Sequence, residues 1–368
     1  MIFFCLLVAN STIYADSGIG SLDYELVKNY SKEFTSDKST LVEIGNRYGK
    51  VEVKTWDSQK VKIEVVVKVK AGSKSKAEDK MNEIMITLEK RGNAVIGNTD
   101  ISSTNTSWWT GWWNSSENVK MEIDYTIHMP ADLHTIIENK YGNIYLPDLT
   151  GKTSINLKYG NLQAQDIAND LLMDLAYGKA TVGSVKNLSG TFAYSDYRGT
   201  DGGNTVLTTK YSKVYLDNAK SVTASSKYDS YKLMNINSLT ITGSYDDINI
   251  GTVATVNLTT KYTGIVINSL SSALTAEVSY GSLMIENLKT SFKKMIVNTS
   301  YAPVKIYGSV PATVEVEGKY FDAQLGADFV SKHKEVNGSN KSYKGYKGSD
   351  KTGASIIISS RYGDVIIK

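Results

Sequence analysis

The chain has 368 residues, and 41 basic against 38 acidic side chains leave a net charge of +3, so charge alone gives no pull toward nucleic acid. Twenty-four tyrosines and 29 glycines stand beside only four prolines and one cysteine, a composition that favours strands and excludes a disulfide scaffold.

The opening residues, MIFFCLLVANSTIYADSG, carry a short apolar run from Ile2 to Ala9, then polar residues and the small Ala15. Such a run is too short to span a bilayer, and the pattern predicts a secretory signal peptide over residues 1–15 with cleavage after Ala15. No basic residue precedes the run, so a buried N-terminal strand is the alternative. Cys5 lacks the small residues that precede a lipid-anchored cysteine, and cleavage would leave a mature chain with no cysteine. The expected location is therefore outside the cytoplasm: secreted, in the periplasm or on the surface of a bacterium.

Residues 16–138 read as an N-terminal β-rich cap. Alternating apolar residues predict a strand from Val61 to Val69, followed by a helix from about Ser75 to Ile84 and a strand near Met85 to Leu88. A polar loop, SSTNTSWWTGWWNSSEN, then holds four of the five tryptophans: Trp108, Trp109, Trp112 and Trp113. Clustered tryptophans in so polar a segment either fold back over the cap or form a contact surface for a sugar, a membrane interface or another protein. The strand VKMEIDYTIHMP leads out of the cap.

From residue 139 to 330 the chain repeats itself. Tyr141, Tyr159, Tyr177, Tyr194, Tyr211, Tyr228, Tyr245, Tyr262 and Tyr280 follow one another at 17 or 18 residues, with Tyr301 and Tyr320 at wider intervals. Three and five residues after most of these tyrosines stand apolar side chains, such as Ile144 and Leu146, or Ile265 and Ile267. Seven residues on, the column from Asp148 to Asn287 is entirely short and polar, suited to holding a turn. Ahead of each tyrosine, alternate residues are mostly apolar or small, as in Leu171, Met173 and Leu175. A short fixed period with strand alternation predicts an all-β, single-stranded β-solenoid with rungs of 17–18 residues. The tyrosines share parity with the inward positions before them, which predicts an interior ladder of rings. The glycines after several of them, Gly142, Gly160, Gly178 and Gly281, are expected to take the positive φ of a corner. The lysines before them, such as Lys140, Lys210 and Lys227, are expected to face outward, for solubility or as a basic strip for acidic polysaccharide. Residues 331–368 read as a flexible loop, VNGSNKSYKGYKGSDKTG, and C-terminal capping strands.

The segments NRYGKVEVKTWD and VKMEIDYTIHMPADLHTIIENKYGNIYL, with the Tyr-Gly rungs, resemble the bacterial putative-adhesin family, a family of secreted domains of unknown function. The resemblance covers about Leu41 to Tyr320 and implies a β-helical fold with right-handed coils, but it brings no site residues.

No cofactor is expected, because no phosphate loop, nucleophile motif or calcium repeat is present, and His128, His134 and His333 lack metal-ligand spacing. The function these patterns favour is a non-catalytic adhesin or envelope-binding scaffold whose partners are a glycan, an envelope protein or a membrane surface. A β-helical polysaccharide lyase or hydrolase is the enzymatic alternative, and a structural or signalling partner in the envelope is a third; oligomeric state is left open.

Overall fold

The computed structural model describes residues 11–15, 24–102, 119–350 and 353–368. The chain is a β-solenoid of stacked coils of about 18 residues, close to three-quarters strand, with a single helix among the described residues. It divides into two compact units, Met1–Gly183 and Ser184–Lys368.

In the first unit, the strands Tyr24–Thr35, Lys60–Ala71 and Val119–Met129 form an antiparallel layer, with Ser11–Ala15 paired onto Tyr24–Lys28. Cleavage after Ala15 would remove that first strand. The helix Lys74–Asn82 starts where the Ser73 side chain accepts a hydrogen bond from the Lys76 amide, and it buries Ala77 and Met81. A hairpin of Ile84–Arg91 and Ala94–Ile101 follows, turning at Gly92 with φ of 59°.

This layer interrupts the solenoid. Leu41–Arg47 lies parallel to His134–Lys140, which pairs with Thr153–Lys158 and, through it, with Leu171–Ala176. A second ladder runs through Val51–Thr55, Ile144–Leu146, Asn161–Ala164 and the start of Lys179–Ala193. The coil at Tyr48 thus stacks directly on the coil at Tyr141, and the segment between them is looped out.

The second unit repeats the pattern with longer strands. Asn187–Ala193, Asn204–Lys210, Ser221–Lys227, Ser238–Ser244, Thr255–Lys261, Ala273–Ser279 and Lys294–Ser300 lie side by side in parallel register. The next strand is not the next in sequence. Ser355–Arg361 inserts between Lys294–Ser300 and Ala312–Lys319, so the C-terminal coil sits inside the stack where the order of the sequence put a continuous run of rungs to residue 330. The segment read as a flexible loop, residues 336–353, instead supplies the turn and second strand of a hairpin: Phe329–Asn337 and Asn340–Lys347 pair antiparallel, the chain turning at Gly338 with φ of 58°. The first of these strands is exposed on both faces, so no apolar alternation marks it.

The interior of each unit is packed with branched side chains. Ile137 and Ile144 in the first unit and Val214, Leu233, Ile248, Ile250, Ile265 and Val304 in the second are all at most 1% exposed. Burying each contributes about 1.5–3 kcal/mol. Rings that do enter the core, among them Tyr125, Phe192, Tyr197 and Tyr231, come from other positions than the corner tyrosines.

Candidate functional site

At each coil the chain turns at the repeated tyrosine, and that residue itself takes the left-handed conformation. All thirteen, from Tyr48 to Tyr362, have φ between 52° and 63°. The glycines after them have ordinary φ; their role is close approach. A Cβ on Gly142 would lie 1.8 Å from the Gly49 carbonyl oxygen, and one on Gly160 would lie 1.9 Å from that of Gly142. A left-handed turn reverses the alternation of the strand, so the rings leave the core. The expectation of an interior ladder is corrected: Tyr228 is 39% exposed and Tyr320 56%.

Outside, the rings stack. In the first unit Tyr48, Tyr141, Tyr159 and Tyr177 are spaced 5.2, 5.0 and 4.9 Å apart and nearly parallel. In the second, Tyr194, Tyr211, Tyr228, Tyr245, Tyr262, Tyr280 and Tyr301 continue at 4.7–5.0 Å, and Tyr362 follows before Tyr320. Most of these amides are held by a neighbouring coil, as in Tyr228 N–H to the Ser244 carbonyl at 3.0 Å, while that of Tyr320 donates to the Ser339 carbonyl in the C-terminal hairpin. The left-handed φ costs about 1–2 kcal/mol per residue, which the stacking of each ring pair, about 0.5–1.5 kcal/mol, partly offsets.

Beside the rings runs the basic column. The Lys140, Lys210 and Lys227 ammonium groups sit 4.9–5.3 Å from the centres of the rings that follow them, and the Arg361 guanidinium 5.7 Å from Tyr362. Because neighbouring rings cover one another's faces, the stripe offers edges, phenol hydroxyls and cations, with few open faces for a flat sugar. Further out, Thr191, Thr208, Ser225, Thr242 and Thr259 form an exposed row of hydroxyls across the second unit.

Beneath the corners of the second unit lies a buried polar spine. Ser195, Ser212, Asp229, Asp246 and Thr263 take the position that glycine holds in the first unit. The Ser212 amide donates to Asp229 Oδ1 at 2.7 Å, the Asp229 amide to Asp246 Oδ1 at 2.9 Å, and the Asp246 amide to Thr263 Oγ1 at 3.3 Å. Thr209 Oγ1 donates to Asp229 Oδ2 at 2.6 Å and lies 2.5 Å from the Tyr231 hydroxyl. Burial pushes both carboxyls above the usual range, against hydrogen bonds that lower them.

The tryptophan loop, with Trp108, Trp109, Trp112 and Trp113, lies outside the described residues. His128 packs against Trp56 at 5.4 Å while His134 and His333 are exposed, and no group of three or more His, Cys, Asp or Glu among the described residues is placed to hold a metal ion. No helix among them is long and apolar enough to cross a membrane.

One concavity was not foreseen. A cleft of about 740 Å³ in the second unit is lined by Glu277, Asn298, Glu317, Lys319, Ser359 and Arg361, with Glu335 and Lys341 among the residues of its wall. No sequence signal groups these residues, because the interleaved C-terminal strand brings them together.

No protein-family model and no curated protein matches the chain. The solved structures it is similar to include a putative cell adhesion protein from Clostridium sporogenes, 12% identical over 93% of this chain and 99% of that one, with a TM-score of 0.17. A putative adhesin from Parabacteroides distasonis is 10% identical over 77% and 95%, with a TM-score of 0.27. A putative lipid binding protein from the same species is 13% identical over 77% and 93%, with a TM-score of 0.28. The first two carry the same kind of name as the family that the sequence resembles, and at these scores the likeness has no bearing on the site.

Proposed function

We propose that the protein is a secreted, envelope-exposed binding module of the adhesin type, without catalytic activity, and that its tyrosine stripe holds an extended acidic glycan. One observation carries this reading: ring edges with their hydroxyls recur along each unit at 4.6–5.2 Å, and cations flank some of them, as at Lys140, Lys210, Lys227 and Arg361. A polymer with repeated anionic groups can meet several such corners at once, and many weak contacts then add on one chain. The signal peptide over residues 1–15 delivers the module outside the cytoplasm.

Retention on immobilised polygalacturonate tests the reading. Replacing Lys210, Lys227 and Lys261 together by glutamine is expected to abolish retention at about 0.1 M salt and to lower the melting temperature by only a few degrees, about the loss of two exposed cation–π contacts. Retention equal to wild type excludes the stripe as the site. Release of reducing ends or unsaturated sugars from the polymer replaces the binding module with the enzyme.

A further inference from the structure

The cleft of the second unit holds charges that no ion pair among the described residues neutralises, although the Arg361 guanidinium also lies over the Tyr362 ring. Its floor is the outer face of four neighbouring strands, in the order Ala273–Ser279, Lys294–Ser300, Ser355–Arg361 and Ala312–Lys319. Across them, Glu277, Asn298, Ser359 and Glu317 are register partners and form one row. Arg361 and Lys319 are register partners in the row beside it. Of the wall residues, Lys341 is bound to Asp322 and Glu335 lies 3.7 Å from His333.

Glu277, Glu317, Lys319 and Arg361 take part in no ion pair among the described residues. Their spacing does not account for this. Glu52 and Lys54, two residues apart on one strand, close to 3.5 Å, and Lys62 and Glu64 close to 2.6 Å. Glu317 and Lys319 have the same spacing and stay apart. Two rows of opposite sign therefore face a concave space whose 740 Å³ suits a small ligand.

Distance selects the ligand. Residues two apart on a strand are roughly 7 Å apart, and two extended peptide units span roughly 7 Å from end to end. We propose that the cleft binds a short zwitterionic peptide, its carboxylate on Arg361 and Lys319 and its α-ammonium on Glu317. Glu277 lies three strands from Glu317, roughly 14 Å along the row; it is too far for one lysine to touch both carboxylates without their leaning together, and it serves to make that end of the row acidic toward a basic side chain. Arg361 is suited to the carboxylate because its planar fork can grip both oxygens.

Calorimetric titration of the full chain with lysyl-alanine tests the assignment, with N-acetyl-lysyl-alanine and lysyl-alaninamide as capped forms. Each cap is expected to weaken binding at least tenfold. Arg361→Gln should weaken the free peptide by a similar factor and leave the amide no weaker than it already is; Glu317→Gln should do the same with respect to the acetylated form. Lys319→Gln repeats the carboxylate arm with a residue that does not lie over Tyr362, in case the Arg361 variant melts early. No saturable heat with lysyl-alanine, caps without effect, or variants that bind as wild type would each overturn the proposal. Because Lys210, Lys227 and Lys261 line no part of this cleft, their triple variant should bind the peptide normally, so the two sites fail or stand separately.

Discussion

At the scale of the residue, the corner tyrosine holds a conformation that its side chain disfavours. Tyr228 has φ of 60°, and its ring is sandwiched between Tyr211 at 4.8 Å and Tyr245 at 4.9 Å. Removing the ring loses two stacks, about 1–3 kcal/mol together. Glycine also removes the strain of the left-handed turn, whereas alanine keeps it. Tyr228→Ala is therefore expected to be less stable than Tyr228→Gly by about 1 kcal/mol, the gain reduced by the greater freedom of glycine when unfolded. Urea denaturation of the two variants measures this. An alanine variant as stable as the glycine variant would mean that the corner is not strained.

At the scale of the element, successive coils of the second unit are joined by the buried spine through Ser212, Asp229 and Asp246. The folded-state pKa values of both aspartates lie above the ordinary 3.8, burial being the first cause. An acid whose pKa is raised by folding binds its proton more tightly in the native state. Its contribution to stability is therefore complete below the unfolded value and is lost as pH rises through the folded values. Other carboxyls oppose this trend, since Glu52 is held low by its hydrogen bond with Lys50. The clean measurement is a difference. The stability of the wild type minus that of an Asp229→Asn, Asp246→Asn double variant should fall as pH rises from about 4 and level off once both groups are ionised. A difference that grows with pH would show that the hydrogen bonds to the ionised form outweigh burial.

At the scale of the whole molecule, each coil is bonded chiefly to the coil before and the coil after it, so stability is close to a sum over neighbours. Residues 229–245 form one 17-residue repeat, and without them Tyr228 is followed by Asp246 in place of Asp229. The corner then carries the same residue type, and the Ser212 amide finds a carboxylate where it had one. Deleting residues 229–245 is expected to give a soluble, cooperatively melting protein with an unchanged strand spectrum and a lower melting temperature. Circular dichroism with thermal melting reads this outcome. An aggregated or unfolded product would mean that the coils are not interchangeable units.

The solenoid itself was legible because its period is local. Most rungs repeat tyrosine, two apolar columns and a polar turn column within about 18 residues, and strand alternation needs no distant partner. The direction of the rings was not legible. It depends on which of two adjacent residues takes the positive φ, and glycine, the residue that adopts it most easily, is needed instead for its missing Cβ against the Gly49 and Gly142 carbonyls. The strand Phe329–Asn337 escaped notice because a strand exposed on both faces has no pattern to show. The cleft was beyond reach of the sequence for a different reason. Glu277, Glu317 and Arg361 are far apart along the chain, and they meet only because the last strand enters the stack between two earlier ones. Local periodicity determined the coil; the order in which coils stack, set by edge pairing between distant segments, decided where charges gather.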